Sequence, residues 1–323
     1  MKYGIIGTGW IAESFIEGAR LLCNADITSV YSRTEEKGNA FAERNNIPHV
    51  YTSLEEFSKA DFEAVYIASP NLLHFSQSVM MLNAGKNVIC EKPITVYPYE
   101  LEECIKLADK KNLIYLEAIM YMHSPNREKL REAVKNIGTI TSAHIDFSQL
   151  SSKYAAYKRG ETPNIFNPEL ATGCLMDLGI YCYYPVIDLF GMPDRITADA
   201  SFLRTGSDGS GTAVLNYGDK LITLTYSKTG QNNSGSNIYG DLGTINANSI
   251  SKLTDVTLTD NSGNTVVICP DMPKAEIMGY EALEFEKFIS DPGDSKYKLC
   301  KEMSMKVSSL MEEIRILSGI QFK

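Results

Sequence analysis

The 323-residue chain carries 31 Lys and Arg against 40 Asp and Glu, a formal charge of −9, with 44% hydrophobic and 22% charged residues. At roughly 150 residues per domain this length suggests two domains with large cores, and the composition excludes a disordered chain. An acidic protein with no basic tract is poorly suited to nucleic acid or to an anionic membrane surface.

From residue 2 to about 118, short apolar runs alternate with stretches of helical period, the rhythm of βαβ units around a parallel sheet. Six strands are predicted: Tyr3–Ile6, Ile27–Tyr31, a weak His49–Tyr51, Ala64–Ala68, Val88–Cys90 and Leu113–Leu116. Between them Ile11–Leu22, Glu35–Asn45, Leu54–Lys59, Leu72–Asn83 and Leu101–Lys111 have the three- and four-residue apolar spacing of crossover helices. Right-handed crossovers then give a doubly wound Rossmann sheet, expected over residues 1–120.

Beyond that point the rhythm changes. A helix near Pro125–Lys135 precedes strand-like runs separated by turns: Ile140–Phe147, Ile196–Phe202, Thr212–Tyr217, Leu221–Tyr226, Ser236–Tyr239, Thr244–Asn246, Val256–Leu258 and Thr265–Ile268. Gly218-Asp219 suits a two-residue hairpin and Asn261-Ser262-Gly263-Asn264 a four-residue one. Strands joined so tightly are antiparallel. Helices around Tyr280–Ile289 and Met303–Leu317 close an α+β domain with an open, mostly antiparallel sheet, expected over residues 121–323. Two such domains leave a cleft between them, a common place for a ligand.

The opening apolar run stops at Gly7, too short for a signal peptide. No window approaches the roughly 18 apolar residues of a membrane span. Cys23, Cys90, Cys104, Cys174, Cys182, Cys269 and Cys300 are dispersed and odd in number, without the spacing of a disulfide framework or thiolate zinc site, so a cytoplasmic protein is expected. His49, His74, His123 and His144 show no metal-binding spacing, and no metal is expected.

The first strand ends in Gly7-Thr8-Gly9-Trp10-Ile11-Ala12, a G-x-G-x-x-A match between a strand and a helix. Gly7 permits the tight turn, Gly9 removes the Cβ that would keep a diphosphate from the backbone, and Ala12 allows close helix packing. Free amides at the helix start would hold the phosphates. At the end of the second strand, where an acid usually binds the ribose of NAD, the chain reads Tyr31-Ser32-Arg33-Thr34. A hydroxyl beside a guanidinium suits a 2′-phosphate, so NADP is expected rather than NAD, and the missing acid also weakens a methyltransferase reading.

Two further segments reach the carboxyl edge of the sheet: Ser69-Pro70-Asn71 with His74, and Glu91-Lys92-Pro93. Pro93 restrains Lys92, whose ammonium can hydrogen-bond a substrate hydroxyl. Downstream, Asp177 and Tyr181 are spaced i, i+4 and share a helical face, with Leu175, Leu178 and Cys182 free to occupy the buried side. Tyr154, Lys158 and Arg159 lie in the loop before Asn164 and suit either a substrate-covering segment or an oligomer contact.

Taken in order and spacing, Gly7–Ala12, Ser69-Pro70-Asn71 with His74, Glu91-Lys92-Pro93 and Gly173–Tyr181 resemble the Gfo/Idh/MocA family of oxidoreductases. Tyrosine at 181, with Asn167-Pro168-Glu169-Leu170 before it, is similar to the dimeric dihydrodiol dehydrogenase branch, which uses NADP. The resemblance implies hydride transfer between nicotinamide and a secondary alcohol or ketone of a sugar, cyclitol or diol. Lys92 and Tyr181 would handle the proton, and Asp177 would place a hydroxyl. Glu91, Ser69, Pro70, Asn71 and His74 would join Gly7, Thr8, Gly9, Trp10, Ile11, Ser32, Arg33 and Lys92 around the cofactor, with Tyr121 and Asn164 toward the substrate. It further implies a homodimer or larger homo-oligomer formed through the C-terminal sheet. Ala171-Thr172-Gly173-Cys174 departs from the glycine-rich run of that branch, so Thr172 and Cys174 either crowd the substrate or shift the helix. A non-catalytic NADP sensor would have no use for Lys92, Asp177 and Tyr181 together.

Overall fold

The computed structural model describes residues 1–322. They divide into two units, Met1–His123 with Pro273–Met305, and Ser124–Met272 with the residues from Lys306 onward.

The first unit alternates strand and helix throughout. Its elements are β1 (Lys2–Ile6), α1 (Trp10–Cys23), β2 (Asp26–Tyr31), α2 (Glu35–Asn45), β3 (His49–Tyr51), α3 (Leu54–Ser58), β4 (Ala64–Ile67), α4 (Asn71–Asn83), β5 (Asn87–Glu91), α5 (Pro98–Lys111), β6 (Tyr115–Ala118) and the short α6 (Met120–His123). All six strands are parallel in the order β3-β2-β1-β4-β5-β6, the doubly wound arrangement. Strands β4 and β6 are buried along their whole length because helices cover both faces. The predicted strands and helices of this stretch are all present, β6 lying slightly later than expected. Three helices end on asparagines in the left-handed region, Asn24, Asn46 and Asn112, a conformation asparagine tolerates better than most residues. Inside, Phe15 of α1 stacks on Tyr66 of β4 at 3.8 Å, both fully buried.

The second unit contains α7 (Asn126–Val134), β7 (Ile140–Ser148), α8 (Tyr154–Lys158) and, after irregular turns, α9 (Ile180–Phe190). Seven strands follow: β8 (Arg195–Phe202), β9 (Asp208–Asn216), β10 (Leu221–Ser227), β11 (Ser236–Gly240), β12 (Gly243–Ser249), β13 (Thr254–Asp260) and β14 (Thr265–Cys269). The eight strands form one open sheet, β14-β13-β12-β11-β7-β10-β9-β8. Every neighbouring pair is antiparallel except β7 with β10. Both predicted hairpins form, Tyr217 pairing with Lys220 around Gly218-Asp219, and β13 with β14 across the four residues Asn261–Asn264. Arg127 ties α7 to α9 by donating from Nε and Nη2 to the Asp188 carboxylate at 2.9 and 2.6 Å.

The last helices, α10 (Lys274–Ser290) and α11 (Ser295–Leu317), begin earlier than their apolar periodicity suggests. The C-terminal part does not belong wholly to the second unit as expected: Pro273–Met305 joins the first. Gly279 interrupts the helical pattern in sequence, yet it is what lets α10 approach α1. A Cβ on Gly18 would lie 2.5 Å from the Gly279 nitrogen, and one on Gly279 would lie 2.7 Å from the Gly18 carbonyl oxygen. Replacing Gly18 by alanine should therefore lower the urea-unfolding free energy by up to about 2 kcal/mol, an overpacking cost of about 1–3 kcal/mol outweighing the roughly 1 kcal/mol that alanine gains in a helix. Unchanged or increased stability would refute this account of the crossing.

Candidate active site

The glycine turn lies where β1 and β4 run side by side. Gly7 has φ +111°, and a Cβ there would stand 2.9 Å from the Ala68 carbonyl carbon, so both its conformation and its neighbour demand glycine. Gly9 faces open space, leaving its backbone accessible, while Ala12 is fully buried against the sheet. The first turn of α1 receives no side-chain cap, so its leading amides are available to an anion.

A cavity of about 630 Å³ extends from this turn. Gly7, Thr8, Ser69 and Pro70 line one part, and Ser32, Arg33, Thr34 and Lys37 another. None of the described residues lining it is acidic. Ser32 is buried and its hydroxyl oxygen meets the Thr34 amide at 3.5 Å, whereas Arg33 and Lys37 are exposed cations. Lys37 went unnoticed in the sequence, although its position four residues after Arg33, on the first turn of α2, was a usable signal.

Around the strand ends, several expected cofactor contacts hold the loops from inside. His74 is 1% exposed, with Nδ1 2.8 Å from the Pro93 carbonyl oxygen and Nε2 2.8 Å from that of Ser69, thereby linking the β4 and β5 loops. Burial pushes its imidazole below the ordinary range, against the pull of the two carbonyls. Ser69 donates from its hydroxyl to Gln77 Oε1 at 2.7 Å. Lys92 is half-buried and precedes a cis peptide bond to Pro93. Glu91 is buried behind it, accepting from the Tyr66 hydroxyl through Oε1 and from the Lys92 amide through Oε2 at 3.2 Å. Tyr121 is 1% exposed within α6, enclosed in the first unit's core.

The second unit holds the remaining candidates. Leu175–Gly179 forms a π-helical turn that runs into α9, so Asp177 precedes the α-helix on which Tyr181 sits. Leu175, Leu178 and Cys182 occupy the buried side as expected. Tyr181 meets Phe147 edge to face at 5.4 Å. Gly173 leaves room for Asp208, whose carboxyl carbon would be 2.9 Å from a Cβ there; Asp208 Oδ2 accepts from the Leu175 amide at 2.6 Å. Thr172 donates its hydroxyl to the carbonyls of Asn164 and Asn167 at 2.7 and 2.9 Å, pinning the approach to the helix, and Cys174 is fully buried. Asn164 is itself exposed. In the preceding loop Tyr154 and Tyr157 stack at 5.7 Å, Lys158 lies over Tyr154, and Arg159 pairs with Glu161.

Lys228 is the main residue that the sequence reading missed. Its ammonium is 2.8 Å from Asp177 Oδ2 and donates to the Ile165 carbonyl at 3.1 Å, though Lys228 is only 2% exposed. The signal was present: Ile222, Leu224 and Tyr226 are buried at alternate positions, and Lys228 continues that register. A lysine on the inward face of a strand calls for a carboxylate partner.

Two family models match the chain: an oxidoreductase family with an NAD-binding Rossmann fold over residues 1–119, and the GFO/IDH/MocA C-terminal domain over residues 128–246. The chain belongs to the Gfo/Idh/MocA family of oxidoreductases. It is 36% identical over its full length, and 98% of the relative's, to the Bacillus subtilis (strain 168) protein named scyllo-inositol 2-dehydrogenase (NADP(+)) IolU. It is 31% identical to trans-1,2-dihydrobenzene-1,2-diol dehydrogenase of Xenopus tropicalis, over 68% of this chain and 66% of that protein. The 3-ketoreductase KijD10 of Actinomadura kijaniata, solved with NADP and TDP-benzene, shares the fold with a TM-score of 0.86, 19% identity and 98% coverage of each chain.

In this Gfo/Idh/MocA chain the Glu91 carboxyl has a buried neighbour from α10. Glu281 is 1% exposed, and its Oε2 has no hydrogen-bonding partner among the described residues. Burial pushes the Glu281 carboxyl well above the usual range; the nearby Glu91 charge raises it further and Lys274 opposes the shift. Burial likewise raises Glu91, against the positive charge of Lys92. A native pKa above the unfolded value means that the folded state keeps the proton longer. Stability is thus lost as pH climbs from about 4.3 toward the native pKa. Glu281→Gln removes that loss, so its stability relative to the parent should improve as pH rises above about 5, measured by guanidinium unfolding. A pH-independent difference would contradict the assignment.

Proposed function

We propose that this chain is an NADP-dependent dehydrogenase or reductase acting on a secondary alcohol, or the corresponding ketone, of a cyclitol, sugar or related diol. The observation that carries the reading is the cavity at the glycine turn, whose far part presents Ser32, Arg33, Thr34 and Lys37 with no described acidic residue in its lining. A carboxylate there would repel a 2′-phosphate; two cations and two hydroxyls attract one. The name of the Bacillus relative supports both NADP and a cyclitol substrate.

The residues fit the dinucleotide. The Gly7–Gly9 backbone and the uncapped start of α1 would take the diphosphate, and Ser32, Arg33 and Lys37 the 2′-phosphate. Ser69, Pro70, Asn71 and Lys92 would serve the nicotinamide side. Bound NADP supplies the acceptor or donor of hydride at its nicotinamide C4. Lys92 and Tyr181 move the hydroxyl proton, with Glu91 and Tyr66 holding the backbone that carries Lys92. The Asp177 carboxylate, oriented by Lys228, accepts a hydrogen bond from a substrate hydroxyl. Asn164 contributes a further polar contact, and Tyr121 acts from behind as a wall.

We assign the chain to the cytoplasm; none of its seven cysteines is held in a disulfide. Among the described residues no helix is long and apolar enough to cross a membrane. We assign the chain to a homodimer or larger homo-oligomer built on the open sheet, where Val266 and Val267 of β14 stand 53% and 67% exposed.

The test combines calorimetry with turnover. The parent should bind NADP at least about ten-fold more tightly than NAD, and Arg33→Ala should erase most of that preference. In a panel of inositols, sugars and diols, at least one should reduce NADP. Lys92→Met and Tyr181→Phe should each lower kcat by about 100-fold or more, the Tyr181 variant leaving NADP affinity near parental. Parental turnover in both variants would remove the proton-handling roles. Absence of any dinucleotide binding would remove the whole reading.

A further inference from the structure

The first unit brings to the glycine turn a cation from far along the chain. Lys274 is the first residue of α10, and its ammonium lies 3.7 Å from the centroid of the Trp10 ring. Trp10 is the sole tryptophan of the protein, opens α1 directly after Gly9, and is 66% exposed. An indole so exposed buries little surface, and a cation over an exposed ring is a weak contact. The pair therefore contributes little to folding. What the fold does secure is its position: the glycine crossing of α10 on α1 fixes both helix starts.

Charge arithmetic indicates what such a pair would meet. A dinucleotide diphosphate carries two negative charges, whereas the start of a helix offers only about half a positive one. Arg33 and Lys37 lie by the Ser32 part of the cavity, toward the expected 2′-phosphate. Lys274 brings a full positive charge over the ring of Trp10, the residue that follows Gly9 and opens the uncapped helix α1. Its field also reaches Glu91 and Glu281, so it joins the turn to the carboxyls behind Lys92.

We infer that Lys274 is a dinucleotide-binding residue that pairs with the diphosphate, its approach guided by the face of Trp10; this deepens, and rests on, the dinucleotide reading above. Because NAD and NADP share the diphosphate, loss of this charge must affect both alike, unlike loss of Arg33. It binds cofactor and takes no part in moving the proton.

The test is equilibrium binding, by calorimetry and by the emission of the single tryptophan. Lys274→Met and Lys274→Gln should weaken NADP and NAD by the same factor, about ten-fold, leaving their ratio unchanged and flattening the dependence on salt. Lys274→Arg should retain most of the affinity. In the unaltered protein, saturation with NAD should change Trp10 emission. Affinities within about two-fold of parental in both neutral variants, a loss confined to NADP, or Trp10 emission indifferent to NAD would overturn the inference. Should the neutral variants fail to fold, the emission change in the parent and the affinity of Lys274→Arg decide it. A parent that binds neither dinucleotide defeats the underlying reading, whereas a binding parent with unaffected neutral variants defeats only the role of Lys274.

Discussion

Close approach of backbone to backbone at Gly7 is the constraint on which the first unit's chemistry depends. With β1 and β4 adjacent, the chain leaving β1 must turn sharply beside the Ala68 carbonyl, and a side chain at position 7 has neither the conformation nor the room. That turn frees the first amides of α1, opens the cavity beside it and directs β2 to deliver Ser32 and Arg33 to its far part. Glycine performs related work elsewhere. Gly18 and Gly279 let α10 rest on α1, and Gly173 lets the Asp208 carboxylate reach the start of the helix that carries Tyr181.

Buried charge is the second theme. Each unit encloses ionisable groups that a core would otherwise exclude, and each compensates them differently. In the first, Glu91 satisfies its oxygens on Tyr66 and the Lys92 amide, while burial strengthens the hold of Glu281 on its proton. In the second, Lys228 is compensated by Asp177 and a carbonyl, and Asp208 by the Leu175 amide. These arrangements fix the segments next to Lys92 and Tyr181 more tightly than apolar packing would, because hydrogen bonds prescribe direction as well as proximity. His74 lies between the loops after β4 and β5, each ring nitrogen 2.8 Å from a carbonyl oxygen.

The family assignment rests on the order and spacing of short motifs across nearly the whole chain, and the full-length match to the Bacillus protein agrees with it. The Thr172 and Cys174 side chains that distinguish this chain in the approach to α9 have evident structural employment: the threonine hydroxyl bridges two carbonyls, and the cysteine packs inside. Of the alternatives raised by that departure, a locally braced helix start is the one these contacts describe.

Local periodicity was enough to place the strands and helices of the doubly wound half, the two hairpins, the glycine turn and the residues flanking Lys92, since those features depend on near neighbours in sequence. It was enough, too, to set Leu175, Leu178 and Cys182 on the buried side of the segment that carries Asp177 and Tyr181. The return of Pro273–Met305 to the first unit, the pairing of Lys228 with Asp177, the burial of His74 and Tyr121, and the meeting of Lys274 with Trp10 were decided only by the tertiary structure. The reason is physical. Helical and strand periods record which face a residue occupies, but the partner of a buried charge, or of a glycine made bare for contact, comes from a distant segment whose arrival no local pattern encodes.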